Sequence, residues 1–175
     1  MDMDEAGEES GWVAAARGGD RDAFGRLYTR FAPMVHGLLM ARVPRTDVED
    51  LVQDVFLRAM RRLESLRDGT AFGPWVAAIA RHRSVDHFRR RRPSVVLPED
   101  LPAPGSAPEE GAGAREALEA IRALPEAYRE TLVLRLVEGM TGPEIAARTG
   151  LTPGSVRVNL HRGMKMLRER LGEAR

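Results

Sequence analysis

Residues 140–171 read MTGPEIAARTGLTPGSVRVNLHRGMKMLRERL, and their pattern predicts two helices joined by a very short turn. Thr141 and Glu144 have the spacing of a capping box, in which each side chain accepts a hydrogen bond from an otherwise unpaired backbone N–H group. Gly150 can end the first helix because glycine adopts the left-handed conformation without steric cost. Pro153 suits the first turn of the second helix, since that position needs no N–H donor. The stretch therefore has the parts of a helix-turn-helix.

The second helix of this pair is predicted to have one apolar face and a basic remainder. Residues 148–170 hold six Arg or Lys and one acid, Glu169. In a DNA-binding helix-turn-helix, the second helix enters the major groove with its N-terminal residues at base edges. The pattern therefore favours DNA binding, and a plain helical hairpin with a solvated basic face is the alternative. The apolar residues recur at steps of three and four and form one stripe: Val156, Leu160, Met164, Leu167 and Leu171.

The candidate DNA contacts of this helix and its cap are the residues that avoid the apolar stripe. Arg157 and Asn159 lie early on the helix, and we expect them at base edges, where Arg typically binds guanine and Asn binds adenine. Arg162 and Lys165 lie further along, and we expect them at phosphates. The full set of candidates is Thr152, Ser155, Arg157, Val158, Asn159, His161, Arg162 and Lys165.

Length and composition restrict the protein classes that fit the chain. Its 175 residues suffice for one medium or two small domains, and 5% aromatic against 30% charged residues suits helical units with modest cores. The chain has no cysteine, which excludes disulfides and thiolate metal sites. It shows no signal peptide and no apolar run of membrane-spanning length, so the cytoplasm is the expected compartment. The net charge is only +1, but the charges are segregated along the chain.

The start of the chain is predicted to be a disordered acidic tail followed by helix. Residues 1–10 hold five acids without helical periodicity, which favours disorder. From residue 11 onward, apolar residues return at helical spacing. Asp20 follows a Gly-Gly pair and can accept hydrogen bonds from the first turn of the next helix.

A sharply amphipathic helix is predicted to begin at Thr46. Thr46 and Glu49 have capping-box spacing, and seven apolar residues between positions 48 and 63 form a clean stripe. Acids in the first turns of a helix are stabilised by the helix dipole, which accounts for them structurally. The other interpretation is that a basic partner docks on them. The polar face in question carries Asp47, Asp50, Gln53 and Asp54.

Residues 67–92 are predicted to be a polar loop, at 67–73, followed by an Arg-rich helix from Pro74. Residues 81–92 hold six Arg and one Asp, which exceeds what capping a helix C-terminus needs, so we interpret the run as a phosphate-facing surface. Residues 93–113 hold five prolines, three glycines and four acids and are predicted to be a flexible linker. The chain is therefore predicted to be all-α, with two small helical domains at residues 11–92 and 114–175.

No catalytic or metal-binding constellation is expected. His82, Asp86 and His87 cluster, but the two histidines lie five residues apart on a helix and point in different directions. The chain contains neither a phosphate-binding glycine loop nor a nucleophile-elbow sequence. We therefore expect no cofactor and no enzymatic activity.

Three segments in order resemble one family of bacterial proteins. Residues 46–66, TDVEDLVQDVFLRAMRRLESL, resemble the polymerase-binding segment of sigma-70 family sigma factors. Residues 72–92, FGPWVAAIARHRSVDHFRRRR, resemble the next segment of the extracytoplasmic-function (ECF) subgroup, and residues 124–171 resemble its C-terminal domain. The resemblance covers about residues 11–92 and 114–171. It implies a sigma-2 domain, a linker and a sigma-4 domain.

The resemblance implies partners and a role for each motif. The partners are core RNA polymerase, through the clamp helices of its largest subunit and its flap, and promoter DNA; an anti-sigma factor is a further candidate, and a membrane is not. The loop at 67–73 would hold a flipped base of the −10 element, and the helix from Pro153 would read the −35 element. Polymerase binding is implied for Asp47, Asp50, Leu51, Val52, Gln53, Asp54 and Phe56. Contact with −10 DNA is implied for Arg67, Asp68, Phe72, Arg81, His82, Asp86, His87, Arg89, Arg90 and Arg91.

Residues 75–92 would line the melted strand and the adjoining duplex, and a single strand requires cations and stacking surfaces. The aromatics available are Phe72, Trp75 and Phe88, of which Trp75 is expected to be a core residue first. Two departures from the family pattern leave the promoter sequence open. His82 stands where the family usually has Asn, and Val158-Asn159 stands where Ser-Arg is common.

The expected function is therefore recognition of −10 and −35 elements with core polymerase, leading to promoter melting and transcription initiation. A stand-alone helix-turn-helix regulator that binds DNA without polymerase is the alternative. The acidic face at residues 47–54 discriminates between the two, because a plain repressor has no need for it.

Overall fold

The computed structural model of the chain describes residues 3–90 and 110–173. Within these ranges the regular structure is helical and contains no strand, which confirms the all-α prediction. Three short 3₁₀ turns, Arg45–Asp47, Leu63–Ser65 and Gly69–Ala71, connect the helices of the first range. The helices are α1 (Met3–Arg17), α2 (Arg21–Met40), α3 (Val48–Arg62), α4 (Phe72–Arg90), α5 (Glu110–Arg122), α6 (Glu126–Leu136), α7 (Gly142–Thr149) and α8 (Pro153–Glu173).

Helices α1 to α4 form the N-terminal domain around α2. Asp20 caps α2 as predicted, since its carboxylate accepts hydrogen bonds from the N–H groups of Asp22 and Ala23 at 2.9 and 3.1 Å. The rings of Phe31 on α2 and Phe72 on α4 lie 5.1 Å apart in the core. Helix α3 packs its apolar stripe against α2 and α4, so its polar face is left outward.

The prediction of a disordered acidic tail is wrong for residues 3–10. Helix α1 includes them, and residues 1–2 lie outside the described ranges. Glu9 is only 6% exposed, and Arg30 Nε on α2 donates to its carboxylate at 3.2 Å. Ser10 lies so close to Gly69 that a Cβ at Gly69 would be 2.8 Å from the Ser10 hydroxyl oxygen. The ion pair of Glu9 with Arg30 is a tertiary contact that the acidic composition of the segment could not reveal.

The predicted capping box at Thr46 and Glu49 is also wrong. A 3₁₀ turn spans Arg45–Asp47, and α3 begins at Val48 without a side-chain cap. The Glu49 carboxylate instead lies 3.5 Å from His36 Nε2 on α2. The spacing of the two residues was correct for a cap, but the polypeptide enters the helix through the tighter turn.

Helices α5 to α8 form the C-terminal domain. Helix α6 packs along α8, where Gly163 allows a close approach: a Cβ there would lie 3.0 Å from Leu132 Cδ1 and 3.2 Å from Tyr128 Cβ. Helix α5 begins at Glu110, so residues 110–113 of the predicted linker belong to this domain. The rest of that linker, residues 93–109, lies outside the described ranges.

The two domains pack against each other. Helix α2 contacts α6, and α4 contacts α7. Among the described residues, no helix is both long enough and apolar enough to cross a membrane.

Candidate nucleic-acid and polymerase interfaces

The turn between α7 and α8 is built as its sequence predicts. The Thr141 N–H donates to Glu144 Oε2 at 2.8 Å, and the Glu144 N–H donates to Thr141 Oγ1 at 3.4 Å, which completes the capping box. The backbone N–H and the hydroxyl of Thr141 hold the pKa of the Glu144 carboxyl below its usual value. Gly150 has φ 78°, the left-handed conformation that the tight turn requires.

The start of α8 is fixed by its own polar residues. Thr152 Oγ1 accepts the Ser155 N–H at 3.1 Å, which confirms the cap, and the two hydroxyl oxygens lie 2.8 Å apart. Both side chains are exposed, but their hydroxyl groups already stabilise the first turn. Ser155 and Thr152 thus orient the helix that carries the basic residues.

The outward side of α8 carries most of the predicted DNA contacts. Val156, Gly163 and Leu167 are buried, which defines the packed side of the helix. Leu160 and Met164 are half-buried at one edge of that side, and Asn159 is half-buried at the other. The exposed residues are Arg157, Val158, His161, Arg162 and Lys165, with Val158 at 42% exposure. The structure therefore presents a basic outer face and places Asn159 at its margin.

The polar face of α3 divides into exposed and paired residues. Asp50 and Gln53 are exposed. Asp54 instead accepts from the guanidinium of Arg83, which is 8% exposed on α4, and from Arg58 at 3.3 Å. The Asp47 carboxylate lies 3.0 Å from His87 Nε2 on α4. Asp54 thus joins α3 to α4, Asp47 joins the preceding 3₁₀ turn to α4, and the outward acidic face is smaller than the sequence suggests.

The apolar residues proposed for polymerase binding lie in the core. Leu51, Val52 and Phe56 are 6%, 3% and 3% exposed, so they position α3 and do not offer contact area of their own. The structure exposes other apolar residues that were missed in the sequence: Leu57 at 49% and Met60 at 50%. Both are apolar residues outside the apolar stripe of α3, and this position in the sequence could have identified them as exposed.

A continuous outward stripe runs along α3. Asp50, Gln53, Leu57 and Met60 follow one another at steps of three and four residues, so they share one helix face. Tyr28 on α2, 40% exposed, lies beside this stripe, and its ring centroid is 4.6 Å from that of Phe56. We call these four α3 residues the α3 stripe. A mixed polar and apolar stripe of this spacing is the surface that another helix packs against.

The loop before α4 is ordered by Asp68. Its carboxylate accepts from the Thr70 hydroxyl at 2.7 Å and from the Thr70 N–H at 2.9 Å, and these bonds lower the pKa of the Asp68 carboxyl. Arg67 is exposed, whereas Phe72 is fully buried between the rings of Phe31 and Trp75. The prediction that Phe72 contacts DNA is therefore contradicted. Its ring is needed where the loop joins the core.

Helix α4 separates its cations into internal and external groups. Arg83 is bound to Asp54 and, at 3.3 Å, to Asp86, while Arg81 is bound to Glu130 on α6. His82 is exposed. His87 is half-buried beside Asp47. Four residues at the C-terminal end are outward: Val85 at 57% and Phe88 at 49% exposure, with Arg89 and Arg90. Arg91 lies outside the described residues.

Two family models match the chain. The model of sigma-70 region 2 matches residues 27–93, and the model of sigma-70 region 4 matches residues 114–167. These ranges correspond to the two helical domains. The first contains α3 and α4, and the second contains α7 and α8.

Characterised relatives match nearly the whole length. RNA polymerase sigma factor CarQ of Myxococcus xanthus is 39% identical over 164 residues, which cover 90% of this chain and 94% of CarQ. The ECF RNA polymerase sigma factor SigD of Mycobacterium tuberculosis is 33% identical, over 91% of this chain and 82% of SigD.

Solved structures show the same fold. The structure of CnrH in complex with the cytosolic domain of CnrY superposes with a TM-score of 0.65 at 27% identity and covers 95% of this chain and 98% of that one. The sigma factor RpoE from Bartonella quintana, solved in complex with the anti-sigma factor NepR, matches with a TM-score of 0.57 at 21% identity, over 87% and 98% of the two chains.

Proposed function

Because this chain belongs to the sigma-70 family, as a member of the ECF subgroup of RNA polymerase sigma factors, we propose a division of its surface into three binding faces. The α3 stripe docks on core polymerase. The outward end of α4 binds the melted −10 strand. The outward side of α8 reads the −35 duplex. Region 2 and region 4 matches in one chain argue against a stand-alone helix-turn-helix regulator.

The exposed α3 stripe carries the proposal for polymerase docking. Asp50 and Gln53 supply polar groups at one end, and Leu57 and Met60 supply half-exposed apolar area at the other. Interfaces of this kind take most of their affinity from apolar anchors and their register from charge. The clamp helices of the largest polymerase subunit, implied by family membership, are the helical partner that we propose for this stripe.

The two proposed DNA-binding faces differ in chemistry, and this difference matches their targets, a duplex for α8 and an unpaired strand for α4. Helix α8 presents Arg157, His161, Arg162 and Lys165 on a rigid helix, which suits a major groove and its phosphates. Helix α4 presents Phe88 and Val85 beside Arg89 and Arg90, which suits an unpaired strand, because bases stack on aromatic surface while cations follow the backbone.

The remaining proposals follow from family membership. The protein acts by binding, without catalysis of its own, and in the cytoplasm, where polymerase acts. Its partners are core polymerase, including the flap, and promoter DNA. An anti-sigma factor is proposed as a regulatory partner because RpoE of Bartonella quintana was solved with one.

The decisive experiment places positive charge on the α3 stripe. Asp50→Arg with Gln53→Arg should abolish co-purification with core polymerase, since an unpaired charge buried in an interface costs roughly 2–5 kcal/mol. Asp54 should be left intact, because its pairing with Arg83 holds α3 to α4. Circular dichroism should show unchanged helicity.

The matched control is Arg62→Glu. Arg62 is also exposed on α3 but lies away from the stripe, so its reversal should leave polymerase binding within about twofold. If the Asp50/Gln53 double variant binds core polymerase as the wild type does, the proposed docking face is wrong.

A further inference from the structure

The two domains approach each other closely at positions where the chain has glycine. A Cβ on Gly37 of α2 would lie 2.9 Å from both Leu134 Cδ2 and Glu138 Cγ of the C-terminal domain. A Cβ on Gly73 at the start of α4 would lie 3.1 Å from the Arg148 carbonyl oxygen. A side chain at either position would force its neighbours to move, so glycine allows the two domains to approach this closely. We call this arrangement the closed form.

One carboxylate of the C-terminal domain lies at the centre of this interface. Glu130 on α6 is 6% exposed and accepts hydrogen bonds from two arginines of the N-terminal domain. Arg42 Nη2 lies 2.9 Å from Glu130 Oε2, and Arg81 Nε lies 3.2 Å from the same oxygen, while Arg81 Nη2 donates to Oε1. Arg42 follows α2 and Arg81 lies on α4, so two separate elements converge on one anion.

The position of Arg81 connects the ion pair between Arg81 and Glu130 to the proposed −10 surface. Arg81, Val85 and Phe88 are spaced by four and three residues and share one face of α4. Val85 and Phe88 are 57% and 49% exposed on that face. Glu130 covers only the end of this α4 face that carries Arg81. The closed form therefore leaves the stacking surface open and neutralises the arginine that continues it.

Guanidinium groups bind carboxylates and phosphates with the same paired geometry. We propose that Arg42 and Arg81 form a binding site for a backbone phosphate of single-stranded DNA, and that Glu130 occupies this site in the closed form. The inference rests on the proposed role of α4 in binding the melted strand. Glu130 and the strand compete for the same two cations, so strand binding opens the domains and closure weakens strand binding. This reciprocity is a thermodynamic requirement.

Three substitutions separate this proposal from a merely structural ion pair. Glu130→Gln keeps the shape of the side chain and removes the competing charge, so it should open the domains and tighten binding of a single strand about three- to tenfold. Arg81→Gln and Arg42→Gln should also open the domains but should weaken strand binding by a similar factor. Glu130→Gln should therefore open the domains and tighten strand binding, whereas the two arginine variants should open the domains and weaken strand binding.

The matched control for Glu130→Gln is Glu126→Gln. Glu126 also lies on α6 and pairs with Arg42 at 2.8 Å, but its side chain is 66% exposed. The two substitutions change the net charge equally, and an exposed pair contributes little. Glu126→Gln should therefore leave both measurements within about twofold of the wild type. Arg62→Gln, on the exposed end of α3, is the corresponding control for the two arginine variants.

Opening is measured in the full chain by fluorescence energy transfer. The protein has no cysteine, so Glu64→Cys and Glu169→Cys, at exposed positions in the two domains, can be labelled without background. Affinity is measured separately, by anisotropy of a short fluorescein-labelled single strand of mixed sequence at fixed ionic strength. Adding the unlabelled strand to the doubly labelled wild type should lower the energy transfer.

The outcomes are decisive in either direction. Open domains with tighter strand binding in Glu130→Gln, and weaker binding in the arginine variants, support the proposal. Unchanged energy transfer in Glu130→Gln, or weaker strand binding by it, overturns the proposal. If that variant unfolds, the arginine variants, which leave the C-terminal domain intact, decide by the same measurements. Strand binding by the outward end of α4 is tested separately with Arg89→Glu and Arg90→Glu, so failure here is distinguishable from failure of the proposed function.

Discussion

Helices α4 and α8 both carry clustered cations, but they differ in what lies against those cations. On α8 the residues Arg157, Arg162 and Lys165 face outward. On α4 the cations are divided: Arg83 is buried beside Asp54, and Arg81 is bound to Glu130 of the other domain. A count of basic residues in the sequence does not distinguish α4 from α8 as DNA-binding helices. The structure shows that α8 is available in the closed form and that α4 is only partly so.

This difference indicates an order of events at a promoter. A duplex can contact the outer side of α8 without moving the domains. Full use of α4 requires Arg81 to leave Glu130, and therefore requires opening. The double-stranded element would then be engaged independently of closure, while the melted strand would be engaged only by the open form. Such a separation favours DNA melting after the protein has been positioned.

The largest expected effect is loss of duplex binding when the outer side of α8 is reversed in charge. Arg162→Glu with Lys165→Glu removes two proposed phosphate contacts and adds repulsion, so affinity for a duplex selected from a random pool should fall about 10- to 100-fold. Anisotropy titration of the full chain at two salt concentrations measures both the affinity and the salt slope.

The contrast between the helices is tested by making the same change on α4. Arg89→Glu with Arg90→Glu should leave duplex affinity within about threefold but should weaken single-strand binding strongly. Equal losses of duplex affinity from the two double variants would mean that α8 is not the main duplex-binding helix of the closed form.

The sequence was sufficient to predict most features that depend on neighbours along the chain, although not the start of α3. The capping box of Thr141 and Glu144, the left-handed Gly150 and the cap of Asp20 all formed as predicted. Each is decided by the backbone within three or four residues, where spacing and geometry are directly related. The all-α fold followed for the same reason, since helical periodicity is a local signal.

The features that failed depend on distant partners. Composition could not show that Glu9 pairs with Arg30, nor that Asp54 is bound by Arg83. Phe72 was expected in the −10 surface because the family resemblance assigns the loop at residues 67–73 to it, yet its ring packs in the core against Phe31 of α2. In each case a side chain with two plausible partners was assigned to solvent, polymerase or DNA. Only the packing of helices far apart in sequence decides between them.

A smaller effect distinguishes the two edges of the α8 face. Arg157 is exposed near the start of the helix, whereas Asn159 is half-buried beside the packed side. Arg157→Ala should therefore cost about 1–3 kcal/mol on the selected duplex and relax the preference at one base pair, while Asn159→Ala should cost less. Repeating the selection with each variant identifies the base that is read. A changed preference with Asn159→Ala alone would show that α8 presents its other edge to the groove.

The smallest expected effect concerns pH and acts on closure alone. Nδ1 of His36 on α2 lies 2.7 Å from Glu138 Oε1 of the C-terminal domain, and Nε2 of His36 lies 3.5 Å from Glu49 Oε1. The hydrogen bond to Glu138 raises the pKa of His36 above its usual value, aided by the charges of Glu138 and Glu49 and opposed by burial and by Arg45.

A raised pKa means that the charged imidazole favours the closed form. The contribution is complete below the ordinary pKa of about 6.5 and is lost as the pH rises through the higher value of the closed form. Energy transfer between the labelled domains should therefore be constant below a pH of about 6.5 and fall as the pH rises above it, by an amount worth about 1 kcal/mol at most for a partly exposed pair. His36→Gln should flatten this profile.

Duplex binding through α8 provides the internal comparison for this titration. The outer side of α8 takes no part in the contact between His36 and Glu138. Duplex affinity should therefore follow the same pH profile in the wild type and in His36→Gln, while the energy-transfer profiles of the two proteins differ. If closure in the wild type strengthens as the pH rises, the contact between His36 and Glu138 does not favour the charged imidazole, and the electrostatic account of this part of the interface is wrong.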